Sequence, residues 1–367
     1  MKSICCSLLF LLLTNANSAQ ISKPQRDIAQ QYFAKNSNIT SLSLTYQCKG
    51  LNHFNPQHIL LNKNNNNEIF QAGSITKSFI SVILLQLETE SAGQFSIEDD
   101  LGKWFPEYPN WAGITIKQLM NMTSGIPDYT KNPKFINRFY QNINHYWTAK
   151  EILMYEKSQR LSFKPGSKWD YSNTNYILLG LLIEKLTKDN LSNVINKRII
   201  QKINLTNTNY VQHFPNKNLV KSQFEHNNYS YAMGEASLSW IGAAGAIVST
   251  TDDINLYIRK LFSTDELLTA EEKHKLLSFI STSSAKNVQK PSRLNSRTYG
   301  LGIVAEYDNK QDIRYVYEGI TLGYKFLYVF YPKSQISIVT ALNSLEVEDE
   351  WSLVQNILTT MEPKCAS

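Results

Sequence analysis

A chain of 367 residues, 42% apolar and 11% aromatic, is long enough to bury one large core or two intertwined ones and short for three domains. Its formal charge of +6 comes from scattered lysines and arginines, which argues against a nucleic-acid partner and reads as a surface rich in Lys and Asn. His53, His58, His145, His213, His226 and His274 lack ligand-like spacing and no glycine-rich phosphate loop is present, so no metal or cofactor is expected.

The chain begins with a basic Lys2, an apolar run from Ile4 to Leu13 and a small-residue end at Ala16-Asn17-Ser18-Ala19. That is the pattern of an export signal over residues 1–19, with cleavage after Ser18 or Ala19. A retained N-terminal anchor is the alternative, although the run is shorter than the ~20 residues of a membrane span. The expected location is periplasmic or secreted, with envelope association left open. Cys5 and Cys6 leave with the signal. Cys48 and Cys365 then form either a disulfide joining the chain ends or two free thiols.

Lys23–Asn36 reads as a helix, and Ser41–Cys48 alternates as a strand. The Asn-rich turn Asn62–Asn67 separates it from a short strand ending near Phe70. Ser74 opens an apolar helix through Leu87, closed by Ser91-Ala92-Gly93. Helices follow at Thr115–Met122, Ala149–Tyr155, Asn173–Leu186 and Leu191–Lys202. The last third returns to strands at Gly300–Glu306, Ile313–Tyr317, Lys325–Tyr331 and Ile336–Asn343, then a helix at Glu348–Met361. Strands at both ends with helices between them predict an α/β (α+β) chain built on an antiparallel sheet flanked by helices. Residues 20–98 and 237–367 would form a discontinuous α/β domain, and 99–236 an all-helical insert.

Ser74 and Lys77 form Ser-x-x-Lys after Gly73, at the start of the apolar helix. The spacing of three puts both side chains on one helical face, where a desolvated amine can take the serine proton. The motif alone is weak, since Ser283-Ser284-Ala285-Lys286 matches it too, in a polar stretch read as a loop. A second element, Pro165-Gly166 followed by Tyr171-Ser172-Asn173, sits just before an apolar helix.

Together these resemble the serine β-lactamase and penicillin-binding protein family, in particular class C β-lactamases, D-alanyl-D-alanine carboxypeptidases and related esterases. The resemblance implies a β-lactamase/transpeptidase-like fold and an acyl-serine hydrolase with Ser74 as nucleophile. It further implies Lys77 and Tyr171 as proton carriers, and Asn173 orienting Lys77 and substrate. Which of Lys77 and Tyr171 is the base stays open, because the pair titrates as one unit. Thr123-Ser124-Gly125-Ile126 is similar to the family's His-Thr-Ser-Gly-Leu, with Met122 in place of His. Ala243–Asp253 and Tyr299-Gly300-Leu301-Gly302 match further segments in the family's order.

The third motif departs. The family expects Lys-Thr-Gly or His-x-Gly, whereas this chain has Tyr317-Glu318-Gly319, with Gly323 following. The resemblance makes Tyr317, Gly319 and Ile320 substrate-binding, Gly319 by letting substrate lie along the strand. The backbone N–H groups of Ser74 and Ile320 would form the oxyanion hole. A phenol supplies no charge-assisted bond, which favours small esters, then D-amino-acid peptides of peptidoglycan type, over β-lactams. No obligate protein partner is implied. The competing reading is a catalytically weak binding or sensor protein of the envelope. Trp104, Trp111, Trp147 and Trp169 either line a cleft or pack in the core, and Tyr129 and Tyr231 either contact substrate or pack.

Overall fold

The computed structural model describes residues 23–48, 56–63, 67–212, 218–226, 229–233, 236–308, 312–347 and 349–365. The expected export segment at 1–19 lies outside them, as do His53, His213 and Glu348.

The N-terminal part runs α1 (Lys23–Lys35), β1 (Ser41–Gln47), β2 (Gln57–Asn62), β3 (Phe70–Gln71) and α2 (Thr76–Glu90). β2 is absent from the sequence expectation. It hairpins back on β1 as an edge strand with only Ile59 buried, so it carries no period-two signal. The middle contributes α3 (Leu101–Trp104), α4 (Ile116–Met120), α5 (Pro133–Gln141), α6 (Ala149–Leu153), α7 (Asn173–Thr187) and α8 (Leu191–Ile195). After them come the short β4 (Asn209–Tyr210), β5 (Gln223–His226), β6 (Tyr229–Ala232) and α9 (Gly242–Gly245). The remainder is β7 (Ile247–Ser249), α10 (Thr251–Ser263), α11 (Ala270–Leu276), β8 (Phe279–Ser281), β9 (Asn287–Val288), β10 (Arg297–Tyr299) and β11 (Val304–Tyr307). It closes with β12 (Ile313–Thr321), β13 (Tyr324–Tyr331), β14 (Ile336–Leu342) and α12 (Glu350–Cys365).

Local chemistry sets several of these boundaries. Thr115 with Gln118, Thr148 with Glu151 and Thr269 with Glu272 form reciprocal capping boxes that start α4, α6 and α11. The helix expected over Leu191–Lys202 instead changes winding at Ile195 and continues as a π turn through Ile200.

Nine described strands form one antiparallel sheet in the order β2-β1-β14-β13-β12-β11-β10-β8-β9. β1 shows why it is a three-layer structure. Leu42 and Leu44 alternate with Ser43 and Thr45, yet all are buried, because both faces are covered. The hydroxyls of Ser43 and Thr45 bond Thr251 Oγ1 of α10 at 2.7 and 2.8 Å. α10 in turn packs on α2, stacking Tyr257 on Phe79 with centroids 3.9 Å apart. α1 and α12 pair with each other, Gln25 donating to Thr360 at 2.8 Å. Cys48 and Cys365 are joined by a disulfide between the ends of β1 and α12, which decides between the two cysteine alternatives.

The strand expected at Gly300–Glu306 is a correction. Residues 300–303 form the turn between β10 and β11, with Gly302 at φ +74°. The turn presses on α2: a Cβ at Gly302 would stand 2.8 Å from Ser81 Oγ and 3.0 Å from the Lys77 carbonyl oxygen. No helix among the described residues is long and apolar enough to cross a membrane.

Candidate active site

Ser74 sits in a 3-10 turn, Gly73–Ile75, immediately ahead of α2 rather than in its first α-helical turn. Gly73 takes φ +51°, a conformation glycine adopts without strain. Thr76 fixes the turn from below: its hydroxyl donates to the Gly73 carbonyl at 2.8 Å and accepts the Ile247 N–H at 3.1 Å. The result leaves Ser74 partly exposed and Lys77, one turn on, fully buried.

The Lys77 amine has three acceptors: Ser74 Oγ at 3.1 Å, Asn173 Oδ1 at 2.9 Å and the Ala244 carbonyl at 2.7 Å. Burial brings its pKa down to about 7, against an upward pull from Asp128. A neutral amine has two protons and one lone pair. Asn173 and Ala244 can only accept, so the lone pair falls to the Ser74 hydroxyl.

On the other side, Tyr171 donates to Ser74 Oγ at 2.7 Å. Burial pushes this phenol far up, opposed by its contacts with Ser74 and Tyr317, so it remains protonated at neutral pH. Lys77 Nζ lies 4.8 Å from the Tyr171 ring centre. Ser74, Lys77, Tyr171 and Asn173 are thus brought together as the sequence predicted.

Asn173 opens α7, and the loop after α4 holds it there. Asp128 accepts from Asn173 Nδ2 at 3.2 Å, which fixes the amide so that its oxygen faces Lys77. Burial raises the Asp128 carboxyl, while hydrogen bonds and Lys77 oppose the shift. The Pro127 carbonyl accepts from Thr174 at 2.6 Å and Ser172 at 3.2 Å. Met122 lies in the same clamp at φ +66°, its sulfur accepting the Ser172 N–H at 3.4 Å. A thioether sulfur is a weak acceptor, and here it takes a backbone N–H at the start of α7.

The serine opens into a cavity of about 390 Å3. β12 runs past the end of β11, whose pairing stops at Val316, so Tyr317, Glu318, Ile320 and Thr321 border the cavity with β13 behind them. Ile320 is exposed there, at 48%. Tyr317 lines the cavity but is buried, its hydroxyl 2.7 Å from that of Tyr299. At Gly319 a Cβ would lie 1.9 Å from the Ala72 carbonyl oxygen and 3.3 Å from Ser74 N. The missing side chain makes room for the nucleophile's own turn. Trp169, Trp240, Ile241, Leu322 and Leu345 supply apolar wall, and Arg297 stands at the margin paired with Glu306.

Of the remaining candidates, Trp111 and Trp147 are core residues, and Trp104 is half-buried against Phe95. Tyr129 is fully buried and donates to the Trp240 carbonyl, so it packs. Tyr231 leans on Tyr140 and is not a lining residue of the cavity. Ser283 lies in the loop after β8, bonded to Ser281. Sequence reasoning missed Asp128, the Ala244 carbonyl and Tyr299. A lone aspartate in a loop has no spacing to mark it, and a backbone acceptor has no residue signature at all.

Residues 52–355 match the Beta-lactamase family, and the chain belongs to it. It is 26% identical over 320 residues to a penicillin-binding protein of Bacillus subtilis (strain 168), covering 81% of this chain and 64% of that protein. It is likewise 26% identical over 303 residues to protein flp of Staphylococcus aureus (strain MRSA252), covering 79% and 55%. The chain thus spans less than two thirds of either relative. In fold it is similar to a D-stereospecific amidohydrolase from Streptomyces sp., with TM-score 0.79 and 23% identity over 90% of this chain and 97% of that one. A D-amino acid amidase from Ochrobactrum anthropi SV3 gives 0.76 and 20% over 93% and 98%.

Proposed function

We propose that this member of the Beta-lactamase family is an exported serine hydrolase that cleaves esters or amides through an acyl-enzyme on Ser74. The observation that carries the reading is the arrangement around Ser74 Oγ: a buried amine with its lone pair aimed at the hydroxyl on one side, a phenol proton on the other. Lys77 takes the serine proton as Ser74 attacks the carbonyl carbon. The N–H groups of Ser74 and Ile320 receive the oxyanion. Tyr171, held as a phenol, gives its proton to the leaving group, and the Lys77 ammonium makes good that loss. Water then repeats the sequence in reverse on the acyl-enzyme.

The substrate reading follows from the walls. With Tyr317 in place of a cation and tryptophans around the cleft, the site favours an uncharged, apolar acyl group over a β-lactam carboxylate. Small esters and D-amino-acid amides or peptides fit this description, and relatives named as amidohydrolase and amidase support the amide side. The Cys48–Cys365 bridge supports export, since such bonds persist in oxidising compartments.

A fluorophosphonate probe should label the protein, and Ser74→Ala should abolish labelling; an unchanged signal in the variant removes the assignment. Steady-state turnover beyond one equivalent per Ser74 excludes the sensor alternative. Turnover of p-nitrophenyl butyrate, a D-alanyl dipeptide and a chromogenic cephalosporin should fall in that order. Rapid cephalosporin turnover would overturn the weight placed on Tyr317.

A further inference from the structure

Among the described residues, Arg297 and Glu318 are the charged side chains in the wall of the catalytic cavity. Arg297 is already matched: Glu306 pairs with it and, at 2.9 Å, with Arg314. Glu318 has no such match, and among the described residues it forms neither a hydrogen bond nor an ion pair. It alternates with the buried Tyr317 and Gly319 and so shares the exposed face of β12 with Ile320. One edge beside it is open, because the pairing with β11 stops at Val316. On β13, Lys325 pairs with Ile320 and stands diagonal to Glu318 without bonding it. The cavity thus presents one unbalanced carboxylate, within reach of its contents and of solvent.

The rings beside it decide which end of a substrate it meets. Trp169 lies two positions before Tyr171 and packs on Tyr299, centroids 5.6 Å apart. The Tyr299 hydroxyl meets that of Tyr317 at 2.7 Å, and Tyr317 precedes Glu318 along β12. One flank of the cavity is therefore Tyr171, a row of aromatic rings and the carboxylate. Past Ile320, whose N–H receives the oxyanion, the wall continues as Thr321 and the apolar Leu322. Tyr171 protonates the leaving atom, so the leaving group lies on the aromatic flank and the acyl group on the apolar one. We propose that Glu318 is a specificity-determining residue, selecting esters and amides whose leaving group carries an ammonium. The inference rests on the acyl-serine reading above and names its substrate class. Glu318 supplies the counter-charge, and the Trp169 and Tyr299 rings offer their faces to the cation. With a choline ester, Ser74 Oγ bonds the carbonyl carbon and the bond from that carbon to the choline oxygen breaks. The electron pair stays on the oxygen, which takes the Tyr171 proton and departs as the alcohol. The same carboxylate repels a leaving group that ends in a free carboxylate, which places D-amino-acid amides ahead of dipeptides.

Butyrylcholine and 3,3-dimethylbutyl butyrate share an acyl group and a shape, and differ in the charge of one atom of the leaving group. Choline is the better leaving group in any medium, so the quantity to read is how the ratio of the two kcat/KM values changes between proteins. Glu318→Gln keeps the length of the side chain and removes its charge. It should lower the ratio of choline ester to neutral ester about tenfold, the size of one charge pair at a partly exposed site. Glu318→Lys should lower it further. Raising the salt concentration should bring the parent's ratio down toward that of Glu318→Gln, since the pair is open to solvent. Equal losses on both esters in Glu318→Gln, the mark of a merely structural role, would overturn the proposal, as would a ratio that Glu318→Lys leaves where it was. Fluorophosphonate labelling of Ser74 separates the two levels. Labelling with an unshifted ratio sinks the role of Glu318 alone, and absent labelling in the parent sinks the acyl-serine reading beneath it.

Discussion

Replacing Gly319 by alanine tests whether the nucleophile's position depends on a contact between two backbones. The new Cβ would sit 1.9 Å from the Ala72 carbonyl oxygen, and such contacts do not fall below 3.0 Å, so the segments must part by about 1.1 Å. β12 is held through this stretch by pairing with β13 from Tyr315 to Thr321, so the Gly73–Ile75 turn is what moves, taking Ser74 from Lys77 and Tyr171. A displacement of roughly 1 Å costs on the order of a hundredfold in rate, and the overpacking destabilises by about 1–3 kcal/mol. The assay is the second-order rate of fluorophosphonate labelling, read beside the melting temperature. Gly93→Ala is the comparison. Gly93 also has positive φ, +87°, but nothing within 4 Å, so it should lower the melting temperature and leave labelling alone. Labelling of Gly319→Ala at the parental rate would refute the reasoning, since the turn would then have room the structure does not show.

Other outcomes follow from the same chemistry. The acylation rate should rise with pH up to about 7 and then level, as Lys77 loses its proton. Asp128→Asn removes the charge that raises Lys77, so this limb should move to lower pH; a limb that stays put breaks the link between them. Because Lys77 titrates near 7 when folded against 10.5 when free, the unfolded chain binds more protons between those values, and its contribution to stability improves as pH rises through that window. Glu350 has the opposite sign. Burial raises its carboxyl from 4.5 to about 7 and Oε2 has no partner, so its contribution is lost as pH rises across that interval. Glu350→Gln should melt higher than the parent at pH 8 and no higher at pH 5, and equal shifts at both would contradict this. Reducing the Cys48–Cys365 bond, which spans 317 positions of sequence, should cost on the order of 3 kcal/mol and lower the melting temperature by several degrees. It should leave Ser74 labelling at moderate temperature intact.

What was legible in the sequence was whatever repeats with a period or stands at a fixed spacing. The long helices around Lys77 and after Asn173 announced themselves by apolar runs, and Ser74, Lys77, Tyr171 and Asn173 by motif spacing. Elements fixed by long-range contact were not legible. β2 buries one residue and pairs because β1 is beside it. Gly300–Ile303 has strand-like neighbours but bends because α2 lies against it. The close approach of Gly319 to Ala72 has no mark in the sequence, since the two are distant along the chain. Asp128 acts only through Asn173, a relation that no spacing encodes.

The disulfide also has a consequence for backbone breakage. Bonding Cys48 to Cys365 closes the chain into a covalent ring that includes Ser74, Lys77, Asp128, Tyr171, Tyr299 and Gly319, while α1 and β1, among the described elements, stand outside it. A protease that nicks one exposed loop within that ring linearises it without releasing a fragment. The cut molecule stays a single covalent body, able to keep its catalytic groups in register for as long as the bond remains oxidised.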